Sequence, residues 1–246
     1  MSGIDDSYSK SLLHMDGADT SVVFTDESGK TWTPYSTAQI DTAQSKFSGA
    51  SGLFGGAGIY IDTPDHADFD VGSGDFTIDT WIRPSAINQD CYICAQCADT
   101  GANATISWFI RLLTNETVYA GIYSGGTIYP AASATDIYAA NTWLHIALIR
   151  YGNLLSVYTG GTAGATTANV TGVTANNSAY KAAIGRLGEY NGYYYAGHVD
   201  EFRFSKGIAR WTANFTPPTA PYGVGSAGNV PRGRVRYPSN ADIRLG

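Results

Sequence analysis

Cys91, Cys94 and Cys97 recur at intervals of three and form a run of candidate ligands or nucleophiles. Zinc and iron–sulfur sites want four such ligands, and no histidine follows at finger spacing. In an extended strand, side chains three apart point to opposite faces, so the three sulfurs converge only across a bend. Buried or semi-exposed free thiols are the plainer expectation. The odd count adds a sharper one, an intersubunit disulfide formed in oxidising surroundings. A second cluster, Asp62, Asp65, His66, Asp68 and Asp70, lacks the mid-loop glycine and closing glutamate of a calcium-binding EF-hand loop. It reads as solvated loop carboxylates with Phe69 turned into the core. The third group is Tyr190, Asn191, Tyr193, Tyr194 and Tyr195, with Tyr123 and Tyr129 as further candidates. Tyrosine rings stack on pyranose faces while amides bond their hydroxyls, which is the chemistry of sugar binding. The same spacing also fits tyrosines flanking a hairpin with rings half buried and hydroxyls wet.

Catalysis is not expected. The four glutamates, Glu27, Glu116, Glu189 and Glu201, do not form the E-x-D-x-E run that would set paired carboxylates on one strand face. His145 sits in WLHIA with no serine or cysteine elbow to activate. Neither a phosphate-binding loop nor a dinucleotide fingerprint occurs.

These residues must be carried by strands. Across 246 residues there are 29 glycines and 17 tyrosines but only 15% charged side chains, a balance that favours strands joined by tight turns. Alternating or apolar runs at 11–15, 53–62, 76–83, 106–113, 118–123, 142–151, 154–158, 166–173, 182–185 and 193–205 predict the strands. TWLHIALIRY is nearly continuous in apolar residues, which predicts cover on both faces. Gly152-Asn153 predicts a hairpin. In GHVDEFRFSKGIARWTANFTPPTAPY, period two predicts His198, Asp200, Phe202 and Phe204 on one face and Val199, Glu201 and Arg203 on the other. One helical turn is expected at Ala209–Trp211, stopped by Pro217-Pro218.

No apolar run is long enough for a membrane span, and the N-terminus lacks the pattern of a secretory signal, so synthesis in a host cytoplasm is expected. The net charge of −6 divides unevenly: residues 223–246 carry +3, leaving −9 on the rest. An acidic body argues against nucleic acid as a partner.

Several blocks together resemble the laminin-G-like, concanavalin A-like domains. SLLHMDGADTSVVFTDESGK is similar to the opening strand and loop, and FTIDTWIRP to the family's core strand. NTWLHIALIRY is similar to its W-x-H hairpin, and HVDEFRFS followed by A-R-W-x-x-x-F to its closing strand and clamp. The resemblance spans about residues 11–222. It implies an all-β, two-sheet antiparallel jelly-roll sandwich over 1–222, followed by an extended basic arm over 223–246. It also implies a structural Ca²⁺ held by Asp26 and Asp200, with Asp16 a weaker match. The ending PSNADIRLG, and the A-R-W-x-x-x-F-x-P-P clamp, resemble parts of tailed-phage virion proteins. On that resemblance the chain is expected to be a non-enzymatic virion subunit, a capsid decoration protein or else a tail, collar or fibre component. It would dock on copies of itself and other virion proteins through Arg232, Arg234, Arg236 and Arg244. The alternative expectation is a carbohydrate-binding adhesion module for a host or environmental glycan.

Overall fold

The computed structural model describes residues 6–47, 49–98 and 102–223. Apart from two 3₁₀ turns at Ala67–Phe69 and Asn103–Thr105, every regular element described is a strand. The first sheet runs β14 (Thr162–Asn169), β13 (Leu154–Thr159), β12 (Leu144–Tyr151), β7 (Phe76–Pro84), β16 (Ala196–Lys206), β5 (Ser51–Gly55) and β4 (Gln39–Asp41). There β1 (Ser9–Leu13) takes over from β5 along the second half of β16. The second sheet runs β3 (Thr31–Tyr35), β6 (Tyr60–Thr63), β15 (Ala182–Ile184), β8 (Cys91–Gln96), β9 (Trp108–Leu112), β10 (Val118–Ser124) and β11 (Thr127–Ala132). The short β2 (Phe24–Thr25) pairs with β3, and β11 meets β14 at Ala132–Thr166, joining the sheets along one side. All these pairings are antiparallel, as expected for a sandwich.

One core fills the space between the sheets. Trp108, Phe69 and Phe204 meet there with ring centroids 5.1–6.2 Å apart, and Trp108 donates its indole N–H to the Phe69 carbonyl. LFGGAGIYID serves both sheets, because the chain leaves β5 in one and enters β6 in the other at Gly56–Gly58. Gly56 and Gly58 have φ of +96° and +78°, a backbone open to glycine and strained for other residues. β12 is buried on both faces as its apolar run predicts.

The closing strand departs from simple alternation. Glu201 has φ +52°, and the register with β7 slips between Asp200 and Arg203. This bulge inserts one residue and exchanges the faces. Val199, Phe202 and Phe204 therefore enter the core, while His198, Asp200 and Arg203 face outward. Residues 207–222 then cross the outer face of the first sheet without the expected helical turn at 209–211. They are held by side chains instead. Trp211 stacks on Phe215 at 4.0 Å, and both rings meet His145 edge-on at 5.7 Å. Arg203 grips Asp79 through two hydrogen bonds of 3.0 and 3.1 Å. Tyr222 donates its hydroxyl to Asp79 at 2.6 Å, and its amide donates to Glu201. Burial opposes ionisation of Asp79, but the adjacent Arg203 guanidinium holds its carboxyl far below the usual range. The D-E-x-R motif is thus a latch for the chain that follows it.

Candidate functional site

The outer face of the second sheet has a different character. Alternation along β8, β9 and β10 turns Tyr92, Phe109, Arg111, Tyr119 and Tyr123 away from the core. Register sets Arg111 between Tyr92 on one side and Tyr119 on the other. Phe109 lies within 6 Å of Tyr92, Tyr119 and Tyr123 by ring centroid.

The β15–β16 connection, Gly185–Tyr195, lies over this face. Gly188 rests on the Cys97 backbone so closely that a Cβ there would stand 2.4 Å from its nitrogen. Glu189 donates its amide to the Cys97 carbonyl, and Tyr193 accepts the Tyr92 amide at 2.9 Å. Pinned this way, Tyr193 takes φ +56°, a conformation that costs a bulky residue about 1–2 kcal/mol. Its ring remains 42% exposed, stacks on Tyr190 at 6.0 Å and meets Tyr92 edge-on at 5.8 Å. The Arg111 guanidinium stands 5.0 Å from the Tyr193 ring and 5.2 Å from Tyr92, and Asp90 holds it through Nε at 2.7 Å. The hydroxyls of Tyr119, Tyr123, Tyr190 and Tyr193 have no hydrogen-bond partner among the described residues and are left to solvent. Burial pushes the Tyr119 and Tyr123 phenols up and Tyr92 to about 12, so all three stay protonated donors at neutral pH. Tyr92, Phe109 and Tyr123 are themselves buried in a second small cluster beneath the loop, and the groups that reach the surface are Tyr193, the partly buried Tyr190 and Tyr119, and the Arg111–Asp90 pair.

The sequence-derived candidates divide accordingly. Tyr190, Asn191, Tyr193 and Tyr194 lie together, with Tyr194 hydrogen-bonded to the Asn191 side chain, and Tyr123 joins the same face. Tyr195 does not. It is fully buried in the main core with its hydroxyl on the His198 carbonyl, because the strand turns inward there. Tyr129 packs on the main core as well. Asp90, Tyr92, Phe109, Arg111 and Tyr119 escaped the sequence reading, since only the pairing of β8, β9 and β10 brings them to the loop.

All three cysteines are buried free thiols, as the plainer expectation has it, but they are distributed differently from what a spacing of three predicts. A register slip between Tyr92 and Cys94 puts Cys91 and Cys94 on the same, core-facing side, and Cys97 on the other. All three are at most 1% exposed. Burial pushes the Cys91 thiol up to about 12 and Cys94 higher still. An intersubunit disulfide through Cys91, Cys94 or Cys97 therefore has no accessible sulfur in this fold.

The two aspartates expected to hold calcium have protein partners in this structure. Asp26 already accepts four hydrogen bonds, from Ser11 Oγ, the Leu12 and Ser28 amides and the Trp32 indole, at 2.6–3.2 Å. Those bonds occupy both oxygens. Asp200 accepts the Lys46 and Phe47 amides, and burial pushes its carboxyl up to about 7. Among the described residues no group of three or more His, Cys, Asp or Glu side chains is placed to share an ion. Three carboxylates of the acidic loop are likewise taken up, while Asp70 keeps a buried Oδ1 without a partner. Asp65 accepts from Gln96, Asp68 pairs with Lys30, and Asp62 with Lys181 and Arg186. Arg232, Arg234, Arg236 and Arg244 lie outside the described residues.

The chain belongs to the family described as the concanavalin A-like lectin/glucanases superfamily, whose model matches residues 54–210. No curated protein matches it in sequence. Among solved structures it is similar to the binding domain of Paraclostridial Mosquitocidal Protein 1, at 14% identity and a TM-score of 0.62, over 82% of this chain and 49% of that one. It is similar to domain 4 of AbnA, a GH43 extracellular arabinanase from Geobacillus stearothermophilus, in complex with arabinotriose. That match has 15% identity and a TM-score of 0.58, over 82% of this chain and 93% of that domain. The binding domain of botulinum neurotoxin DC, in complex with SialylT, matches at 12% identity and a TM-score of 0.61, over 83% and 49%. The chain thus spans about half of each toxin binding domain. At such identities the likeness speaks for the fold.

Proposed function

We propose that the chain is a non-catalytic carbohydrate-binding module whose glycan lies on the outer face of the second sheet. The carrying observation is Tyr193, an exposed aromatic held at positive φ above a fixed Arg111–Asp90 pair. Strained residues of this kind cluster at ligand sites. Stacking of a sugar face on Tyr193 and Tyr190, with Arg111 and the free phenols bonding its hydroxyls, uses each group in its present position. The ligand complexes named for structures of the same fold support this reading.

The virion setting rests on two features of the sequence. The first, the A-R-W-x-x-x-F-x-P-P clamp, has a structural task as the cover of the first sheet. The second, the basic arm, lies outside the described residues, so a subunit role on a tailed-phage particle gains no support beyond resemblance. The test is a glycan array probed with the full chain. We expect binding to a defined set of glycans, lost on Tyr193→Ala and Arg111→Ala while the melting transition stays cooperative. A blank array with folded protein refutes the proposal.

A further inference from the structure

The glycan-binding face continues beyond Tyr193 in a direction the loop partly hides. Tyr35 on β3 pairs directly with Tyr60 on β6. One residue from Tyr60, Ile61 pairs with Ile184 of β15, which pairs in turn with Cys94 of β8. The bulge at Ile93 brings Tyr92 into the same transverse row, where it faces Arg111 and then Tyr119. Tyr35, Tyr60, Tyr92, Arg111 and Tyr119 therefore line up across six strands. At the usual strand spacing the row is about 24 Å long.

The half nearer β3 is built as carefully as the half around Arg111. Tyr35 stacks on Tyr60 at 4.3 Å and 15°, and Tyr194 continues the stack at 6.1 Å. The Arg186 guanidinium lies 3.6 Å over Tyr60 and is oriented by Asp62. Lys181 bonds the Tyr35 hydroxyl and Asp62 at 3.2 Å. Tyr35 and Tyr194 are half-buried rings, and Lys181 keeps 37% of its side chain exposed. Tyr193 and Tyr194, adjacent in sequence, serve opposite halves: Tyr193 contacts Tyr92, and Tyr194 contacts Tyr60.

We infer that the ligand is a linear oligosaccharide segment of several consecutive units, with a second subsite at Tyr35, Tyr194 and Lys181. This inference rests on the glycan-binding reading. A single terminal sugar occupies one ring platform, whereas this face offers two: Tyr35 and Tyr194 against the buried Tyr60, and Tyr193 against the buried Tyr92, with Tyr60 and Tyr92 about two strand spacings or 10 Å apart. Each platform has its own arginine and aspartate pair.

The test is calorimetric titration of the full chain with xylo-, cello-, arabino- and manno-oligosaccharides of one to five units. Affinity in the series that binds is expected to climb with length to at least three units. Tyr35→Ala should weaken the longest oligomer by about three- to tenfold, the usual value of one aromatic platform. It should leave binding of the shortest ligand far less affected. Lys181→Ala reads the same subsite without removing a ring, should Tyr35→Ala impair folding. Equal affinity for one and five units overturns the inference while leaving the function intact. So does unchanged affinity in folded Tyr35→Ala and Lys181→Ala proteins. No binding to any oligomer, together with a blank glycan array, removes the function and the inference with it.

Discussion

Replacing Asp200 by asparagine should make the protein more stable at pH 8 and less stable at pH 4. Asp200 is 1% exposed on the outer face of the first sheet, beside Glu201, and its Oδ2 accepts the amides of Lys46 and Phe47 at 2.7 and 3.3 Å. Burial first, and Glu201 after it, raises the carboxyl to about 7 from an ordinary value near 3.8. The folded state therefore binds this proton more tightly than the unfolded chain. The contribution of Asp200 to stability is greatest below pH 4, declines as pH rises from about 4 to 7, and is level above that. The full span is worth roughly 4 kcal/mol at 1.36 kcal/mol per pH unit. Asparagine keeps an oxygen for the two amides and removes the charge, but it buries an N–H₂ that costs about 1–2 kcal/mol if unpaired. The net expectation is a gain of roughly 2 kcal/mol at pH 8 and a loss of about 1–2 kcal/mol at pH 4. Urea unfolding of both proteins across pH 4–8, in chelator, measures the difference directly. A variant less stable than wild type at pH 8 would refute the reasoning. If that loss appeared only with calcium present, Asp200 would be held ionised by the cation, as the family resemblance implies.

Tyr193→Gly and Tyr193→Ala should abolish glycan binding alike, yet the glycine variant should be the more stable by about 1 kcal/mol because alanine retains the positive-φ cost. The reverse order in thermal denaturation would mean the loop does not hold Tyr193 in that conformation. Tyr222→Phe removes the donor 2.6 Å from the buried Asp79 carboxylate and should cost about 1.5–3 kcal/mol in urea unfolding at pH 7, without changing ligand affinity. An aromatic disulfide reagent should label none of Cys91, Cys94 and Cys97 in the native protein and all three in urea. Rapid native labelling, or a covalent dimer on oxidation, would restore the intersubunit disulfide.

The fold was legible because hydrophobic period two survives in most strands and because the clamp and hairpin motifs lie in unbroken sequence. What escaped was set by local insertions and by partners distant in sequence. The Glu201 bulge moves Phe202 and Phe204 to the face opposite the one occupied by His198 and Asp200, which alternation alone assigns to a single side. The slip at Ile93 likewise gathers Cys91 and Cys94 on one face, where spacing of three predicts separation. Strands β8 and β11 carry no clean apolar alternation and were not anticipated. With β8 went Tyr92, and with its neighbours went the row through Arg111. The loop tyrosines were visible as a composition cluster, but nothing local distinguishes Tyr193, which stays outside, from Tyr195, which goes in.

The contrast between the two outer faces argues for a ligand on the second. On the first sheet the chain covers its own aromatic surface: Trp211, Phe215 and Tyr222 close over His145 and Asp79, and Asp79 is bonded by Arg203 and Tyr222. On the second sheet the covering loop is Gly185–Tyr195. Instead of sealing the surface, it adds Tyr190, Tyr193 and Tyr194, leaves phenol hydroxyls in water and tolerates a strained backbone to do so. Packing alone would favour a residue at 193 that is content with positive φ, such as glycine or asparagine. The ring already packs on Tyr92, Tyr190 and Arg111 and still keeps 42% of its surface open, which leaves a face on which a partner can stack. A partner with apolar faces and hydroxyl edges satisfies the ring, the phenols and the Arg111–Asp90 pair at once, and a sugar chain is such a partner.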